Sequence, residues 1–291
     1  MEIRTLQYFL AIAREENISA AADFLHITQP TLSRQMKDLE DELGKQLFIR
    51  GKRRISLTEA GILLRKRAEE ITSLVERTES EIMASEELLT GDIYIGCSES
   101  DGMRLIAKAI DKMALMYPHV KFHLYSGNAD EMYHKIEDGI LDFAIVIEPV
   151  ELKKYDYLKL PYMNTWGILM SNHSILANNE IITPNDLRDK PLLCSNQTMV
   201  KNELAGWIGG NQRKLNIVGT YNLLYNASLL VEEGHFYALC LKDIINIEGK
   251  DLCFKPLSPQ LEAGMLVIWK KYQPFARPAE VFLEILKKEF N

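Results

Sequence analysis

Thr28-Gln29-Pro30-Thr31-Leu32-Ser33-Arg34 opens a segment whose apolar residues, Leu32, Met36, Leu39 and Leu43, recur at spacings of four, three and four. That is one stripe of a helix. At ~100° per residue, Pro30, Ser33, Arg34 and Lys37 fall away from the stripe. Gln29 lies at the exposed N-terminal end, and Thr31 is grouped with this outward set. Thr28 suits the N-cap. Pro30 is tolerated in the first turn because its missing N–H would have had no partner there. An amide, a hydroxyl and a guanidinium near a helix N-terminus can pair with base edges: Arg with guanine O6 and N7, Gln with adenine N6 and N7. A small helical bundle that binds no DNA would carry the same groups as a solvated face.

Working outward, Leu6, Phe9, Leu10 and Ala13 form the stripe of a first helix. A second helix is expected to open at Ser19, with Ala20, Ala21 and Ala22 for close approach and Phe24 and Leu25 for packing. Two short helices at a fixed turn can set the following helix in a major groove. Downstream, Leu47 to Arg54 reads as a basic hairpin. From Lys45 to Arg54 there are five cations, Lys45, Arg50, Lys52, Arg53 and Arg54, and no acid. Such a cluster neutralises phosphates even on an acidic chain. The chain as a whole is net −7, so bulk charge does not argue for nucleic acid. Residues 1–58 carry +1, while residues 59–90 and the remainder carry −4 each.

The chain resembles the LysR-type transcriptional regulators. The resemblance rests on Leu6-Gln7-Tyr8-Phe9, Ser19-Ala20-Ala21-Ala22 and Thr28 to Arg34. It continues through Leu39-Glu40, Glu42-Leu43-Gly44, Leu47-Phe48, Arg50, Arg53 and Leu57-Thr58-Glu59-Ala60-Gly61. It is specific over about sixty residues and beyond them is one of architecture. It implies a winged helix-turn-helix, a linker helix and a ligand-sensing domain. It also implies base contacts from Gln29, Pro30, Ser33 and Arg34, and wing contacts from Arg50 and Arg53. The expected partners are a double-stranded DNA operator, a small-molecule effector and a second or further copy of the chain, as dimer or tetramer. RNA polymerase is a further candidate.

Thr58 can cap a helix running to about Leu89, about 45 Å at 1.5 Å per residue. Leu64, Ala68, Ile71, Val75, Thr78, Ile82, Ser85 and Leu89 recur at alternating spacings of four and three, a heptad seam. A helix this long cannot cover its seam against so small a head, so a partner subunit is expected there. The other reading is an amphipathic helix packed on its own domain.

From 91 to 291, short apolar runs alternate with amphipathic segments, which argues an α/β fold with largely parallel sheets. Strands are expected at 93–97, 120–125, 141–147, 166–170, 192–194, 217–221, 237–241 and 265–270. Helices are expected at 103–117, 129–138, 203–208, 227–233 and 279–290. The resemblance implies two lobes of periplasmic-binding-protein type, one about 91–161 with 268–291 and the other about 162–267. Residues 1–58, 59–90 and 91–291 would then be the DNA-binding domain, the linker and the effector domain.

Two such lobes leave a cleft at the carboxyl ends of their strands. The loops reaching it hold Ser98 to Asp101, Ser126 to Asn128, Glu148, Asn196 to Thr198, and Tyr221-Asn222. Ser98, Ser100, Asn128, Glu148, Asn196 and Thr198 are the candidate effector contacts. Hydroxyls, amides and helix N–H groups at such points suit a small polar ligand, often a carboxylate. Asn128 with Glu131 also reads as a plain capping box. Glu99, Asp101 and Glu148 bring negative charge; pointing inward, they favour a ligand with an amino group.

The N-terminus goes straight into a helix without a secretory signal, and no run of ~18 apolar residues suggests a span. A cytoplasmic protein with no membrane partner is expected. The four cysteines show no CxxC spacing, and the six histidines make no metal pattern. Nucleophile-elbow and phosphate-loop motifs are missing, so no catalytic residue, metal or cofactor is expected. Against a ligand-responsive regulator stands a small-molecule binding protein or enzyme whose head serves only for assembly. Assembly does not need the Arg50/Arg53 wing.

Overall fold

The computed structural model describes residues 1–51, 54–83, 89–197, 206–207 and 215–290. The chain forms two compact units, Met1–Met83 and Ala84–Asn291.

In the first unit, α1 (Ile3–Glu15), α2 (Ile18–Phe24) and α3 (Gln29–Leu43) bury Leu6, Phe9, Ile12, Ala21, Leu32, Met36 and Leu39 in one core. The α2 helix starts before Ser19 because the Asn17 side chain accepts from the Ser19 and Ala20 N–H groups. Two expected core residues stay outside. Leu43 is 40% exposed because the last turn of α3 runs past the core. Phe24 is 55% exposed, with the Arg14 guanidinium 4.0 Å over its ring. The turn after α3 is held by the Glu40 carboxylate, which accepts from Leu47 N–H (2.7 Å) and Phe48 N–H (3.2 Å). β1 (Phe48–Arg50) and β2 (Ile55–Leu57) then pair antiparallel, and Ile55 N–H donates to Glu16 O at 2.8 Å, tying this wing to the end of α1.

Helix α4 (Glu59–Met83) is capped by Thr58, whose hydroxyl accepts from Gly61 N–H and donates to Gln46 O. A Cβ at Gly61 would overlap the Leu47 carbonyl oxygen, so glycine alone allows this approach. The α4 seam differs from the expected one. Ala68 and Thr72 are buried and Leu64 is half-buried, covered by the head of the same unit. Ile71, also of the expected seam, is exposed, as are Ile62, Leu63 and Leu74 outside it. At ~100° per residue, Leu63 and Leu74 share one side of the helix, roughly 130° from Ala68. The described part of the helix ends at Met83; the expected seam position Ser85 lies outside the described residues, and Leu89 packs against the core of the second unit.

The second unit runs β3 (Gly91–Cys97), α5 (Met103–Met116), β4 (Val120–Ser126), α6 (Ala129–Glu137), β5 (Phe143–Ile147) and β6 (Tyr155–Ser171). It continues with β7 (Leu192–Ser195), β8 (Ile217–Tyr221), α7 (Leu224–Glu233), β9 (Tyr237–Leu241), β10 (Leu252–Pro256), β11 (Glu262–Lys270) and α8 (Arg277–Phe290). The strands follow the order β4-β3-β5-β11-β6-β9-β7-β8, with β10 on β6. Ile93, Ile95, Phe143, Val267 and Phe282 centre one lobe; Ile168, Met170, Leu192, Leu239 and Leu257 centre the other.

The sheet is less parallel than expected. β3 pairs in parallel with β4 and β5, and β7 with β8 and β9. β11 and β6 are antiparallel to their neighbours, because a chain that crosses between lobes must return in the opposite direction. β6 is 17 residues long because it serves both lobes, and β10, a short strand ending in proline, was not expected. At the crossing, Gly264 pairs with Met163 but Met265 with Leu160, a break in register that leaves Pro161 and Tyr162 extra on β6. The helix expected at 203–208 lies largely outside the described residues. Among the described residues no helix is long and apolar enough to cross a membrane.

Candidate functional sites

The α3 stripe turns Gln29, Pro30, Thr31, Arg34 and Lys37 to solvent and leaves Ser33 half-buried. Gln29 Nε2 donates to Ser33 Oγ at 3.0 Å, which orients the amide along the helix edge. Thr28 holds the N-cap position, but its hydroxyl shares a 2.7 Å bond with Thr31 and makes none to the helix backbone. The first N–H groups of this 15-residue helix are therefore left without a side-chain cap, a setting that suits a phosphate oxygen. The Arg34 side chain is 84% exposed, with Asp38 at 4.0 Å as its loose partner. Such an exposed pair holds its arginine weakly. Arg50 closes β1; Arg53 lies outside the described residues.

In the second unit a cavity lined by residues of both lobes opens between them. A cleft between two lobes with a few convergent polar groups is a common place for a small ligand. Ser98 and Glu148, both expected, line it at the ends of β3 and β5. Asn128 lines it too, but its amide is committed to capping α6: Oδ1 accepts from Glu131 N–H at 2.9 Å and Nδ2 donates to the Glu131 carboxylate at 3.0 Å. Ser100 turns instead to the crossover, donating to Asn164 Oδ1 at 2.5 Å and accepting from Gly102 N–H. Asn164 in turn donates to Ala263 O at 3.1 Å. Asn196 is exposed, and its neighbours Ser195, at the end of β7, and Gln197, in the helical turn after it, line the cavity in its place. Thr198 lies outside the described residues.

Glu99 and Tyr221, on loops expected to reach the cleft, line the cavity, and Trp166, which was not foreseen there, lines it too. The Glu99 carboxylate accepts from Leu224 N–H at 2.5 Å, so a residue of one lobe caps a helix of the other. That distant cap lets α7 begin at Leu224, three residues before the expected start. Burial pushes the Glu99 carboxyl above its ordinary range, and the Leu224 N–H pulls it part of the way back. Tyr221 is pushed well up by burial, and its hydroxyl donates to Leu239 O at 2.6 Å. Glu148 donates its backbone N–H to Gly264 O at 2.9 Å, and its carboxylate lies where a Cβ at Gly264 would stand. Burial pushes the Cys97, Cys194 and Cys240 thiols up to about 12, which keeps them protonated near neutral pH.

An exposed polar helix start beside a wing, and a two-lobed domain with a polar interlobe cavity, fit the architecture of a ligand-sensing DNA-binding regulator. Residues 3–62 match the family model of the bacterial regulatory helix-turn-helix protein, lysR family, and residues 86–291 match that of the LysR substrate binding domain. The chain belongs to the LysR family of transcriptional regulators. It is 28% identical over 278 residues to the Hca operon transcriptional activator HcaR of Escherichia coli (strain K12), covering 93% of this chain and 92% of that one. It is 27% identical over 230 residues to the HTH-type transcriptional regulator YtlI of Bacillus subtilis (strain 168), covering 77% and 74%. Full-length CbnR, solved in complex with its target DNA, shares the fold at a TM-score of 0.74 and 19% identity, over 99% of this chain and 100% of that one.

Proposed function

We propose that the chain reads a double-stranded operator with Gln29, Pro30, Thr31, Ser33, Arg34 and Lys37, helped by Arg50 and Arg53, and that a small polar metabolite between the lobes changes this binding. In this reading residues 1–58, 59–90 and 91–291 are the DNA-binding, linker and effector domains, and the protein works in the cytoplasm without catalysing a reaction. The observation that carries it is the open, uncapped start of α3, where an exposed guanidinium and amide stand together. Ser98 and Glu148, at the cavity, are the effector contacts it retains. RNA polymerase is the partner through which bound protein would alter transcription.

The exposed Leu63 and Leu74 support self-association through α4. Two heads so joined would read two half-sites. Replacing both by Asp sets charge in that contact. Light scattering should then give a smaller particle, and footprinting should give a lost or halved site. Unchanged mass and footprint would remove α4 from the interface. The effector arm is tested by footprinting the full chain with fractionated cell metabolites, in parallel with Ser195→Trp, which fills the cavity. The wild-type footprint should shift and the variant's should not.

A further inference from the structure

We propose that the metabolite in the interlobe cavity carries a cationic amino or ammonium group that seats on the Glu148 carboxylate. This deepens the reading above and rests on the cavity being the effector site. Among the described lining residues there are two carboxylates, Glu99 and Glu148, and no Lys, Arg or His. The two acids differ in what they do. Glu99 is engaged, bonded to the first N–H of α7. A ten-residue helix start at a cleft is the ordinary seat for an anionic ligand. Here the protein's own carboxylate fills that seat from the opposite lobe, so an incoming anion would have to displace it and then face Glu148.

Glu148 is half-buried, and among the described residues no cation pairs with its carboxylate. A carboxylate so placed is open to a ligand cation, whose charge it can pair with at the cavity wall. Trp166 and Tyr221 add aromatic surface of the kind that attracts ammonium groups. A second opening shares Ser98, Glu99 and Ile244 with the cavity and brings Asp101, Asp243 and Glu248. Among the described lining residues its one cation, Arg104, is bonded to Asp101 at 2.6 Å, and Lys242 stands 3.6 Å from Asp243, so three acids face these two cations along with Glu99. The approach is therefore negative, which draws cations in and turns anions away. The placement also suits a switch. The Glu148 carboxylate packs on Gly264, beside the break in the β6–β11 register where the lobes join. Charge neutralised there acts directly at the crossover.

The test is calorimetry and thermal shift on the full chain with two probe sets: putrescine, agmatine and choline against succinate, benzoate and malonate. At least one amine should bind, and no carboxylate. Glu148→Gln, which keeps the shape and removes the charge, should weaken amine binding at least about tenfold (~1.4 kcal/mol). Glu148→Lys should transfer binding to the carboxylates. A wild-type protein that binds no amine, or binds a carboxylate with equal strength in Glu148→Gln, overturns the proposal. Ser195→Trp separates this from the reading beneath it. A probe lost in Ser195→Trp but kept in Glu148→Gln contradicts the cation alone. A probe kept in a folded Ser195→Trp contradicts the cavity. Circular dichroism checks both folds, and Gln197→Trp replaces Ser195→Trp if the latter does not fold.

Discussion

The outer face of α3 and the interlobe cavity are both polar surfaces, but they are built in opposite ways. The α3 face comes from nine consecutive residues, and a single buried stripe of Leu32, Met36 and Leu39 decides what points out. The cavity takes Ser98 and Glu99 from after β3, Glu148 from after β5, Gln197 from after β7, and Tyr221 and Leu224 from around the start of α7. Its shape depends on contacts more than a hundred residues apart, such as Glu99 on Leu224. A surface set by local periodicity stays readable when single residues drift. A surface set by distant strand ends does not, and it can change ligand without changing fold.

The sharpest way to break this contrast is to damage the local device from one of its few non-local supports. Gly61→Val would drive a side chain into the Leu47 carbonyl oxygen that Thr58 and the wing surround. We expect a loss of roughly 3 kcal/mol in the first unit, read as earlier melting and loss of operator binding. Ligand binding by the second unit should persist. Loss of both together would show that the two units do not behave as separate stability units.

A smaller effect sharpens the local side. Asn17 caps α2 through two backbone N–H groups. Asn17→Ala should cost about 1 kcal/mol, measured by chemical denaturation, while Asn17→Asp should cost little. Equal stability in Asn17→Ala would mean the cap is replaced by water.

The smallest effect concerns Glu99 and depends on pH. Burial raises this carboxyl above its ordinary 4.5, so ionising it costs more in the folded domain than in the unfolded chain. The stability tied to this group is full below pH 4.5 and falls as pH rises through the raised value. Glu99→Gln keeps an acceptor for Leu224 N–H and removes the charge. Its melting temperature should therefore exceed that of the wild type near neutral pH and converge with it in acid. A variant less stable than wild type at neutral pH would mean that the charged bond to α7 outweighs the burial.

These cases show what could be read in advance. The stripe of α3, the wing and the Thr58 cap follow from spacing, because each depends on neighbours within a turn or a hairpin. The α4 seam misled because Leu64 and Ala68 have a heptad spacing that suits either a partner or the head, and the head covers them. In the second unit the loops after strands were legible, but the side chains within them were not. Ser100 answers to Asn164, Asn128 to Glu131, and Asn196 faces away. Trp166 reads as one more apolar residue of a strand, and nothing near it in sequence marks it as cavity wall. The early start of α7 was hidden for the same reason, since its cap is Glu99.

The central claim is that α3 reads base identity with Arg34. Selection of bound duplexes from a random-sequence pool, run in parallel with the full-length wild type and Arg34→Ala, tests it most directly. The wild type should enrich two related half-sites. Arg34→Ala should enrich the same spacing with one base position per half-site relaxed, and bind the wild-type site about 1–3 kcal/mol more weakly. The same motif, selected with equal affinity by both proteins, would contradict the assignment of Arg34 to the base edge.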